Sequence, residues 1–397
     1  MRRSQTRREW LAGTATALSG MYLSRSILSE AAAAPLAPTA PVSVARCRTY
    51  DAGQLLPVMS TMFDQVGGLG RLVKGKTVGV KINLTGRPGA RVENLPAADT
   101  HVTHPAVVAA AVHLMGRAGA RRIRVLEGPY GTAGTVEAFL VQLGCEPRDI
   151  LSAAANVEFE NTNFLGQGKK YSRLAVPNGG SLFSAFDVNH SYEDCDVFVT
   201  IAKMKEHTTA GVTLSMKNSF GLPPCSIYAE GAGVDEPNEL PTGSRRMLHN
   251  GQRAPSRSAP QEKDPNAPKE GGYRVPRVTV DIVAARPIDF AIVEGIKTIT
   301  GGGGPWDTGT KPVAPGVIVA GRNCVTTDAV CMALMGFDPM ADRGTPPFEE
   351  CDSTLRLAEE AGIGTRDLKR IEAVGTPIRE AVFDFAAIRR ERRKNSL

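Results

Sequence analysis

The sequence predicts an α/β protein whose mostly parallel, twisted sheet is flanked by helices. Apolar, β-branched runs alternate with amphipathic stretches of helical period, an order that is typical of parallel βαβ units. The run at residues 197–201, VFVTI, is almost wholly apolar, as expected of a strand that is buried on both faces. Charged or amide residues directly follow several such runs, and this places a binding crevice at the carboxyl edge of the sheet.

The first βαβ unit is predicted near the start of the folded region. A strand covers residues 77–84, and Pro105 suits the first position of an amphipathic helix that Gly119 ends. A second strand covers residues 122–126. The order strand, helix, strand favours a parallel pair joined by a crossover helix.

The rest of the folded region continues the alternation. The remaining predicted elements are a helix at 135–143, irregular strands and turns at 156–180, the strand at 197–201, a short helical segment around Lys217 and Asn218 that Gly221 ends, a helix at 277–285, strands at 288–293 and 317–320, helices at 326–335 and 349–361, and a strand at 371–374.

A long segment at residues 223–274 interrupts this pattern. It is rich in Pro, Gly and charge and has no sustained period. A loop of this length is either a cover over an active site or a disordered insertion. Its position directly after a lysine-rich block favours a cover, while its composition equally suits a disordered insertion, so both interpretations stay open.

The amino terminus predicts an export signal. Arg7 and Arg8 resemble the twin-arginine consensus, and the apolar stretch 11–28 with the alanines at 31–34 suits a signal core and cleavage site. The alternatives are a basic disordered terminus or a membrane anchor. We therefore expect residues 1–34 to be a signal peptide read by the twin-arginine translocase, and the mature protein to be periplasmic or otherwise exported, with no stable membrane span.

Three further regions complete the predicted organisation. Residues 35–75 form a linker and entry segment, residues 76–375 form the α/β domain, and residues 376–397 form a basic tail. Removal of the signal takes away five basic and two acidic residues, so the formal charge falls from +6 to about +3. Nothing in that balance indicates a nucleic-acid partner.

The cysteines argue against a thiolate metal site. All seven follow residue 34, no Cys-x-x-Cys pair exists, and the odd number leaves at least one thiol unpaired. Buried free thiols are the simplest interpretation, and the sequence identifies neither a metal nor a cofactor.

Charged and amide residues follow four predicted strands. In a parallel sheet the carboxyl ends of these strands lie along one edge, where loops build the crevice. A glutamate at such a strand end suits either a functional site or a purely structural ion pair with a lysine, and both roles remain open for the glutamates. The residues concerned are Lys81 and Asn83, Glu127, Lys203 and Lys205, and Glu294.

The block at residues 196–221 carries the strongest functional signal. If the chain stays extended past residue 202, then Lys203, Lys205 and His207 point to one side, because strand side chains alternate. Together with Lys217, such lysines suit a phosphate, carboxylate or enolate oxygen, and a crowded lysine also loses its proton near neutral pH. His207 suits proton transfer, or alternatively a purely structural hydrogen bond.

The glycine run at residues 301–304 precedes Pro305 and Trp306. Backbone N–H groups of Gly303 and Gly304 can approach a bound anion, but the run lacks the spacing of a dinucleotide or phosphate-loop motif. A flexible turn is the alternative interpretation.

Several motifs together resemble one known family. They are the Lys-x-Lys-x-His segment followed by Lys-Asn-x-x-Gly, VGVKINLTG, THPAVVAAAVHLMGRAGA, DFAIVEGI with GGGGPW, and GVIVAGRNCVTTDAV. In pattern and order they resemble domain-of-unknown-function family 362, over roughly residues 76–375. The resemblance implies an α/β fold and a shared site. Asp328 matches an aspartate that recurs at a helix start in that family. Many relatives carry a ferredoxin-like cysteine cluster, which is absent from this chain.

The leading functional hypothesis is an exported enzyme that acts on a small anionic molecule. Lys203, Lys205 and Lys217 hold or activate the ligand, and a glutamate or His207 moves a proton, as in a racemase or isomerase. The rival hypothesis is a noncatalytic binding or redox-accessory protein that uses the same cationic crevice. The oligomeric state does not follow from the sequence.

Export is expected to depend on the arginine pair. Replacing Arg7 and Arg8 with lysine should retain the precursor in the cytoplasm, because the translocase reads the arginines and not their charge alone. Cell fractionation follows the protein, and N-terminal sequencing of the exported form should show processing near Ala33 or Ala34. Lysines at Arg2 and Arg3 are the matched control. Unchanged export of the first variant would remove the twin-arginine assignment.

Overall fold

The structure is a computed structural model that describes residues 36–130, 134–166, 168–239 and 243–388. From Ala37 onward the chain forms one unit. Its described strands are β1 (Val42–Arg46), β2 (Thr77–Lys81), β3 (Arg122–Glu127), β4 (Val157–Asn161), β5 (Ser172–Ala175), β6 (Ala185–Val188), β7 (Val197–Lys203), β8 (Lys205–His207), β9 (Gly211–Thr213), β10 (Phe290–Gly295), β11 (Thr298–Thr300), β12 (Lys311–Val313), β13 (Val317–Gly321) and β14 (Ala373–Gly375). Its described α-helices are α1 (Ala52–Gln65), α2 (Gly70–Val73), α3 (Pro105–Arg117), α4 (Val136–Gln142), α5 (Pro147–Leu151), α6 (Ser191–Asp194), α7 (Ser215–Asn218), α8 (Cys225–Tyr228), α9 (Arg246–Asn250), α10 (Gly271–Ala285), α11 (Cys324–Leu334), α12 (Thr354–Glu360) and α13 (Ile378–Ala381).

Eight strands form the main sheet, in the order β14-β1-β13-β10-β7-β2-β3-β4. The five strands from β10 to β4 are all parallel to their neighbours. Only β13 runs against the others, antiparallel to β1 and β10. The predicted mostly parallel α/β class is therefore confirmed, and the antiparallel strand is a detail that the hydrophobic pattern of residues 317–320 does not reveal.

The sheet separates two apolar cores. Val80 and Val199 belong to the core on the face that packs against α1 and α3. Phe198 and Val293 belong to the core on the opposite face, with α10 and α11. Neighbouring residues of a strand point to opposite faces, so the odd or even position of a residue along its strand, here called its parity, decides which core it joins.

Local capping explains where two of the helices begin. The Nδ1 atom of His104 accepts the Ala106 N–H at 3.1 Å, so His104 caps α3 one residue before Pro105. The Asn323 side chain accepts the N–H groups of Val325 and Thr326 at 3.0 Å each and starts α11. Gly336 has a φ of +78° immediately after that helix, which suits a glycine.

Some predicted boundaries shift in the structure. The strand predicted at 77–84 ends at Lys81, so Asn83 lies in the loop that follows. The helix predicted at 349–361 begins only at Thr354, where the Ser353 hydroxyl caps it. The segment 156–180 contains β4 and β5, in line with its predicted irregular strands.

The segment 223–274 is folded onto the domain in its described parts. It contains α8 and α9, and its Tyr228 and Leu248 side chains are fully buried. The predicted signal peptide lies outside the described residues, as does most of the basic tail beyond Ile388. Within the described ranges, no helix has the length and hydropathy needed to cross a bilayer.

Candidate functional site

Two buried ion pairs mark the carboxyl edge of the parallel strands. Lys81 at the end of β2 pairs with Glu127 at the end of β3, with 2.9 Å between Nζ and Oε1. Lys203 and Glu294, which are register partners on β7 and β10, form the second pair. The four strand ends thus meet at one edge, in the arrangement that the sequence predicts, and each glutamate is held by a lysine.

The lysines of the two pairs point to opposite faces of the sheet. Lys203 shares the parity of Val199 and lies on the α3 face, where its Nζ also donates to the carbonyls of Ala98 (2.9 Å) and Lys297 (3.0 Å). Lys81 has the opposite parity to Val80 and lies on the other face. The Lys203–Glu294 pair is therefore enclosed by protein.

A cavity of about 940 Å³ opens on the Lys81 side of this edge. Its volume is near the upper end of the range for small-molecule sites. Its wall carries the cations Lys81, Arg87, Arg91, Lys217, Arg245 and Arg246, the carboxylates Glu127 and Asp307, the histidines His207 and His249, the amides Asn83 and Asn218, and the aromatic rings Tyr130, Phe220 and Trp306. Cations outnumber carboxylates three to one on this wall, which favours an anionic occupant.

Six residues proposed from the sequence thus reach the cavity wall: Lys81, Asn83, Glu127, His207, Lys217 and Asn218. Five do not: Lys203, Lys205, Glu294, Gly303 and Gly304. Lys205 and His207 share one face of β8, as expected, and both lie beside Gly303. Lys203 is the last residue of β7 in the main sheet and pairs with Glu294 instead.

Lys217 is the cavity cation with the most perturbed environment. It lies on the short helix α7, and its Nζ is 4.1 Å from the centre of the Phe220 ring. Burial, with repulsion from Arg245 and Lys81, lowers the pKa of Lys217 to about 7. Its charge therefore responds to pH near neutrality, and a bound anion would stabilise the protonated form.

Asp328 fixes the position of α7 from another helix. It is buried within α11, where one carboxylate oxygen accepts the Ser215 hydroxyl (2.6 Å) and N–H (2.9 Å), and the other accepts the Met216 N–H (3.0 Å). Asp328 thus caps the helix that carries Lys217 and Asn218. The start of its own helix, α11, is capped by Asn323. Burial raises the pKa of Asp328 to about 7.

Two amide side chains line the floor of the cavity. The Asn218 Nδ2 donates to the Thr200 hydroxyl (2.7 Å), and its Oδ1 accepts from the Asn83 Nδ2 (3.1 Å). The Oδ1 of Asn83 is buried and has no hydrogen-bond partner among the described residues. Since such a group costs free energy until it is paired, it favours a ligand that brings a donor.

The two cavity histidines have opposite tautomers. The Nδ1 of His207 accepts the Thr209 N–H at 3.2 Å, so in neutral His207 the proton is on Nε2. The Nδ1 of His249 is 2.9 Å from the Arg245 carbonyl and must donate to it, so its Nε2 is unprotonated. Burial and the nearby Lys217 charge lower both pKa values, that of His249 to about 4. Both rings are therefore neutral at pH 7, one a donor and the other an acceptor.

Arg245 ties the segment 223–274 to the strand ends. Its Nη2 donates to the carbonyls of Gly128 (3.0 Å) and Gly221 (2.9 Å), and its Nε donates to Pro223. It precedes α9, which supplies Arg246 and His249 to the cavity wall. The described part of this segment therefore occupies the position of a cover.

The glycine run has a different use from the predicted anion cradle. The Gly303 N–H donates to Asp307 at 2.7 Å, and its carbonyl accepts from Lys205. A Cβ atom at Gly304 would lie 2.3 Å from the Trp306 ring. Gly303 and Gly304 thus shape the loop around Trp306.

Sequence reasoning missed the residues contributed by the irregular segments. His249, Arg245 and Tyr130 have no strand or helix pattern to mark them. The one available signal was the position of segment 223–274 directly after the lysine block, with a single histidine in it. Among the described residues no group of three His, Cys, Asp or Glu side chains is arranged to hold a metal ion, and none of the cysteines there forms a disulfide.

Comparison with known proteins identifies the family. Residues 78–333 match the family model described as domain of unknown function DUF362. The chain belongs to the DUF362 family. The DUF362 match covers every residue of the cavity wall named above, so the cavity is built from the family domain itself.

Individual relatives are more distant. The thylakoid-associated protein sll1697 of Synechocystis sp. (strain ATCC 27184 / PCC 6803 / Kazusa) is 29% identical over 191 residues, which are 47% of this DUF362 chain and 52% of that protein. The chain thus spans about half the length of this curated relative. A crystal structure of a Thermotoga maritima protein gives a TM-score of 0.33 at 12% identity, covering 68% of this chain and 55% of the other. The lactate racemase apoprotein of Thermoanaerobacterium thermosaccharolyticum gives 0.36 at 10%, covering 71% and 54%.

Lys203→Met is expected to destabilise the protein by about 3 to 5 kcal/mol, because it leaves the Glu294 carboxylate buried without its cation. Urea unfolding gives the free energy. The double variant Lys203→Met/Glu294→Gln should recover part of the loss, since no buried charge then remains unpaired. Lys297→Met, a half-exposed lysine paired with Asp99, is the control and should cost under about 1 kcal/mol. A loss of similar size in Lys203→Met and the control would contradict the structural role.

Asp328→Asn is expected to weaken both folding and anion binding. The amide keeps the shape but replaces one acceptor oxygen with a donor, so the cap on α7 loses at least one bond, at about 1 to 3 kcal/mol. Urea unfolding measures stability, and calorimetric titration with inorganic phosphate measures binding. Asp338→Asn, an exposed capping aspartate elsewhere, is the control. If Asp328→Asn lowers stability but phosphate binds as in the wild type, then the cap does not position Lys217.

Proposed function

We propose that the protein is an enzyme that binds a small carboxylate or phosphate in the cavity and transfers a proton at that ligand. The observation that carries this proposal is the pair of neutral histidines with opposite tautomers, His207 and His249, on one wall beside Lys217. A binding protein needs cations for an anion, but it does not need one imidazole as donor and another as acceptor. General acid and base groups do need that complementarity.

Charge on the cavity wall supports an anionic ligand. Lys81 and Glu127 neutralise each other, whereas Lys217 has no carboxylate within ion-pair distance among the described residues. Arg87 and Arg91 line the same cavity. An anionic ligand would therefore relieve the mutual repulsion of the cations while it is held by them.

The residues suit removal of a proton from a carbon next to a carboxylate. In this step the C–H bond breaks, the proton moves to Nε2 of His249, and the electron pair delocalises onto the ligand carboxylate. Lys217 and the Nε2–H of His207 stabilise the oxygen on which negative charge develops. Return of the proton to the carbon restores neutral His249, so the cycle needs no other reactant.

The proposal includes export. It rests on the Arg7 and Arg8 pair and the apolar stretch after it, as the sequence indicates.

The cavity of about 940 Å³ is larger than a small carboxylate needs, which leaves room for a second, larger ligand beside it. Native mass spectrometry of protein purified from its own host would detect such a retained molecule.

Deuterium exchange tests the chemistry. Glycolate, 2-hydroxypropanoate and alanine are incubated with the protein in D₂O, and proton NMR follows loss of the signal from the carbon next to the carboxylate. We expect exchange in at least one, reduced about 10²- to 10⁴-fold by His249→Gln and by His207→Gln. His113→Gln, outside the cavity, is the matched control. Saturable binding with no exchange in any probe would favour the noncatalytic ligand-binding alternative.

The charge of Lys217 should make anion binding depend on pH. The protonated form exists below its pKa of about 7, so the affinity for glycolate should be highest below pH 7 and fall up to about tenfold per unit above it. Calorimetric titrations between pH 6 and 9 measure the profile. In Lys217→Met the pH dependence that begins near pH 7 should be lost, because the titrating group is gone. An unchanged profile in that variant would remove Lys217 from the ligand site.

A further inference from the structure

Lys205 is a buried cation that the cavity does not use. Its side chain is 1% exposed, and its Nζ donates to the Gly303 carbonyl. No carboxylate in the described residues lies within ion-pair distance of it, unlike Lys81 and Lys203. Burial, with repulsion from Lys217 and Lys203, lowers the pKa of Lys205, and a bound anion would stabilise its ammonium form and use its free donors.

His101 lies beside the loop of Gly303 and Trp306, and one of its buried ring nitrogens has no hydrogen-bond partner among the described residues. The Thr100 hydroxyl donates to the Ala97 carbonyl at 3.1 Å, so it accepts from His101 Nδ1–H at 2.9 Å. The other ring nitrogen, Nε2, then carries a lone pair, and it is buried with no hydrogen-bond partner among the described residues. Neither nitrogen can therefore donate a hydrogen bond to a ligand, and Nε2 can only accept one.

Trp306 brings these two groups together. The Trp306 ring centre is 5.8 Å from the His101 ring centre and 5.9 Å from Lys205 Nζ. Although Trp306 contacts both buried groups, 53% of its side chain is exposed. The ring sits against Gly86 and Gly304, where a Cβ atom would lie 2.4 and 2.3 Å from it. Only glycine leaves space for the ring at these two positions.

The segment that carries Trp306 has the backbone freedom to move it. Gly301 and Gly302 have φ values of +85° and +159°, and four consecutive glycines precede Pro305. Such a run lets the ring swing outward without strain in L-residue backbone. The exposed face of Trp306 lines the cavity, so outward movement would connect the cavity with Lys205 and His101.

We propose that Trp306 gates an inner pocket in which Lys205 and His101 bind an oxyanion that also carries a hydroxyl group. Lys205 Nζ donates to the anionic oxygen, and His101 Nε2 accepts from the hydroxyl. A 2-hydroxycarboxylate and hydrogen phosphate both have this combination of groups. Lys217 lines the outer cavity whereas Lys205 does not, and the inner pocket does not depend on the proton transfer proposed above.

Tryptophan fluorescence tests the gate. The chain has two tryptophans, so Trp10→Phe leaves Trp306 as the only one. Glycolate, inorganic phosphate and acetate are titrated into this variant. We expect a saturable change with glycolate or phosphate, and binding of acetate at least about tenfold weaker because it lacks the hydroxyl. Comparison of the glycolate titration with the phosphate titration shows whether the pocket binds a 2-hydroxycarboxylate or hydrogen phosphate. Equal responses to glycolate and acetate, or no response to any probe, would overturn the proposal.

Substitutions in the same background locate the pocket. Lys205→Met should weaken the response at least about tenfold, and Lys311→Met, an exposed lysine on β12, should leave it unchanged. An anion in the outer cavity would also touch Trp306, so Lys217→Met separates the two sites: the response should persist in it. Loss in Lys217→Met with retention in Lys205→Met would place the anion in the outer cavity and overturn the inner pocket.

Chemical labelling gives a second measurement that needs no change at Lys205. Acetic anhydride modifies accessible neutral lysines, and peptide mass spectrometry quantifies each site. In Trp306→Ala the acetylation rate of Lys205 should rise at least about fivefold over the wild type, because the ring no longer covers it, and glycolate should protect it. Lys311 is the internal reference. An acetylation rate of Lys205 that does not respond to Trp306→Ala would show that the ring is not the gate.

Discussion

Parallel register brings four strand ends together, and the alternation of side chains then divides them between two faces. Lys81 and Lys203 are the last residues of neighbouring strands, but Lys81 is the register partner of Thr200, so Lys203 lies three residues further on and points to the opposite side of the sheet. Lys203 is enclosed with Glu294, while Lys81 and Glu127 form part of the cavity wall. The described cavity therefore contains the Lys81–Glu127 pair and not the Lys203–Glu294 pair.

Burial next to other cations explains the chemistry available on the cavity wall. A neutral imidazole at pH 7 and a lysine with a pKa near 7 both result when charged forms lose hydration next to other cations. The carbonyl of Arg245 and the N–H of Thr209 then choose the tautomers of His249 and His207. The same backbone contacts that fold the segments therefore set which ring donates and which accepts.

Support from distant parts of the chain makes the arrangement rigid. Asp328 of α11 caps the four-residue helix that carries Lys217, which is too short to be stable alone. Arg245 connects the cover segment to the loops after β3 and α7. In the loop of Trp306 the glycines allow many backbone conformations, and hydrogen bonds from the Gly301 and Gly303 N–H groups to Glu206 and Asp307 hold the one observed.

The sequence by itself determined the fold class, the parallel order of the central strands and the edge at which polar residues gather. It could do so because hydrophobic period and strand-end chemistry are local properties. It also identified Lys81, Asn83, Glu127, His207, Lys217 and Asn218, which the structure brings to one cavity. The exact boundaries of β2 and α12 depended on caps and loops that the pattern does not show.

Tertiary structure alone decided which lysines face a ligand and which complete the protein interior. Lys203 belongs to the same sequence motif as Lys205 and His207, but it ends a strand of the main sheet, whereas the other two lie on the β8–β9 hairpin. His249 and Arg245 come from a segment without periodicity, so only its packing over the strand ends reveals them. The direction of β13 and the capping role of Asp328 likewise depend on contacts between residues far apart in the chain, which no local pattern records.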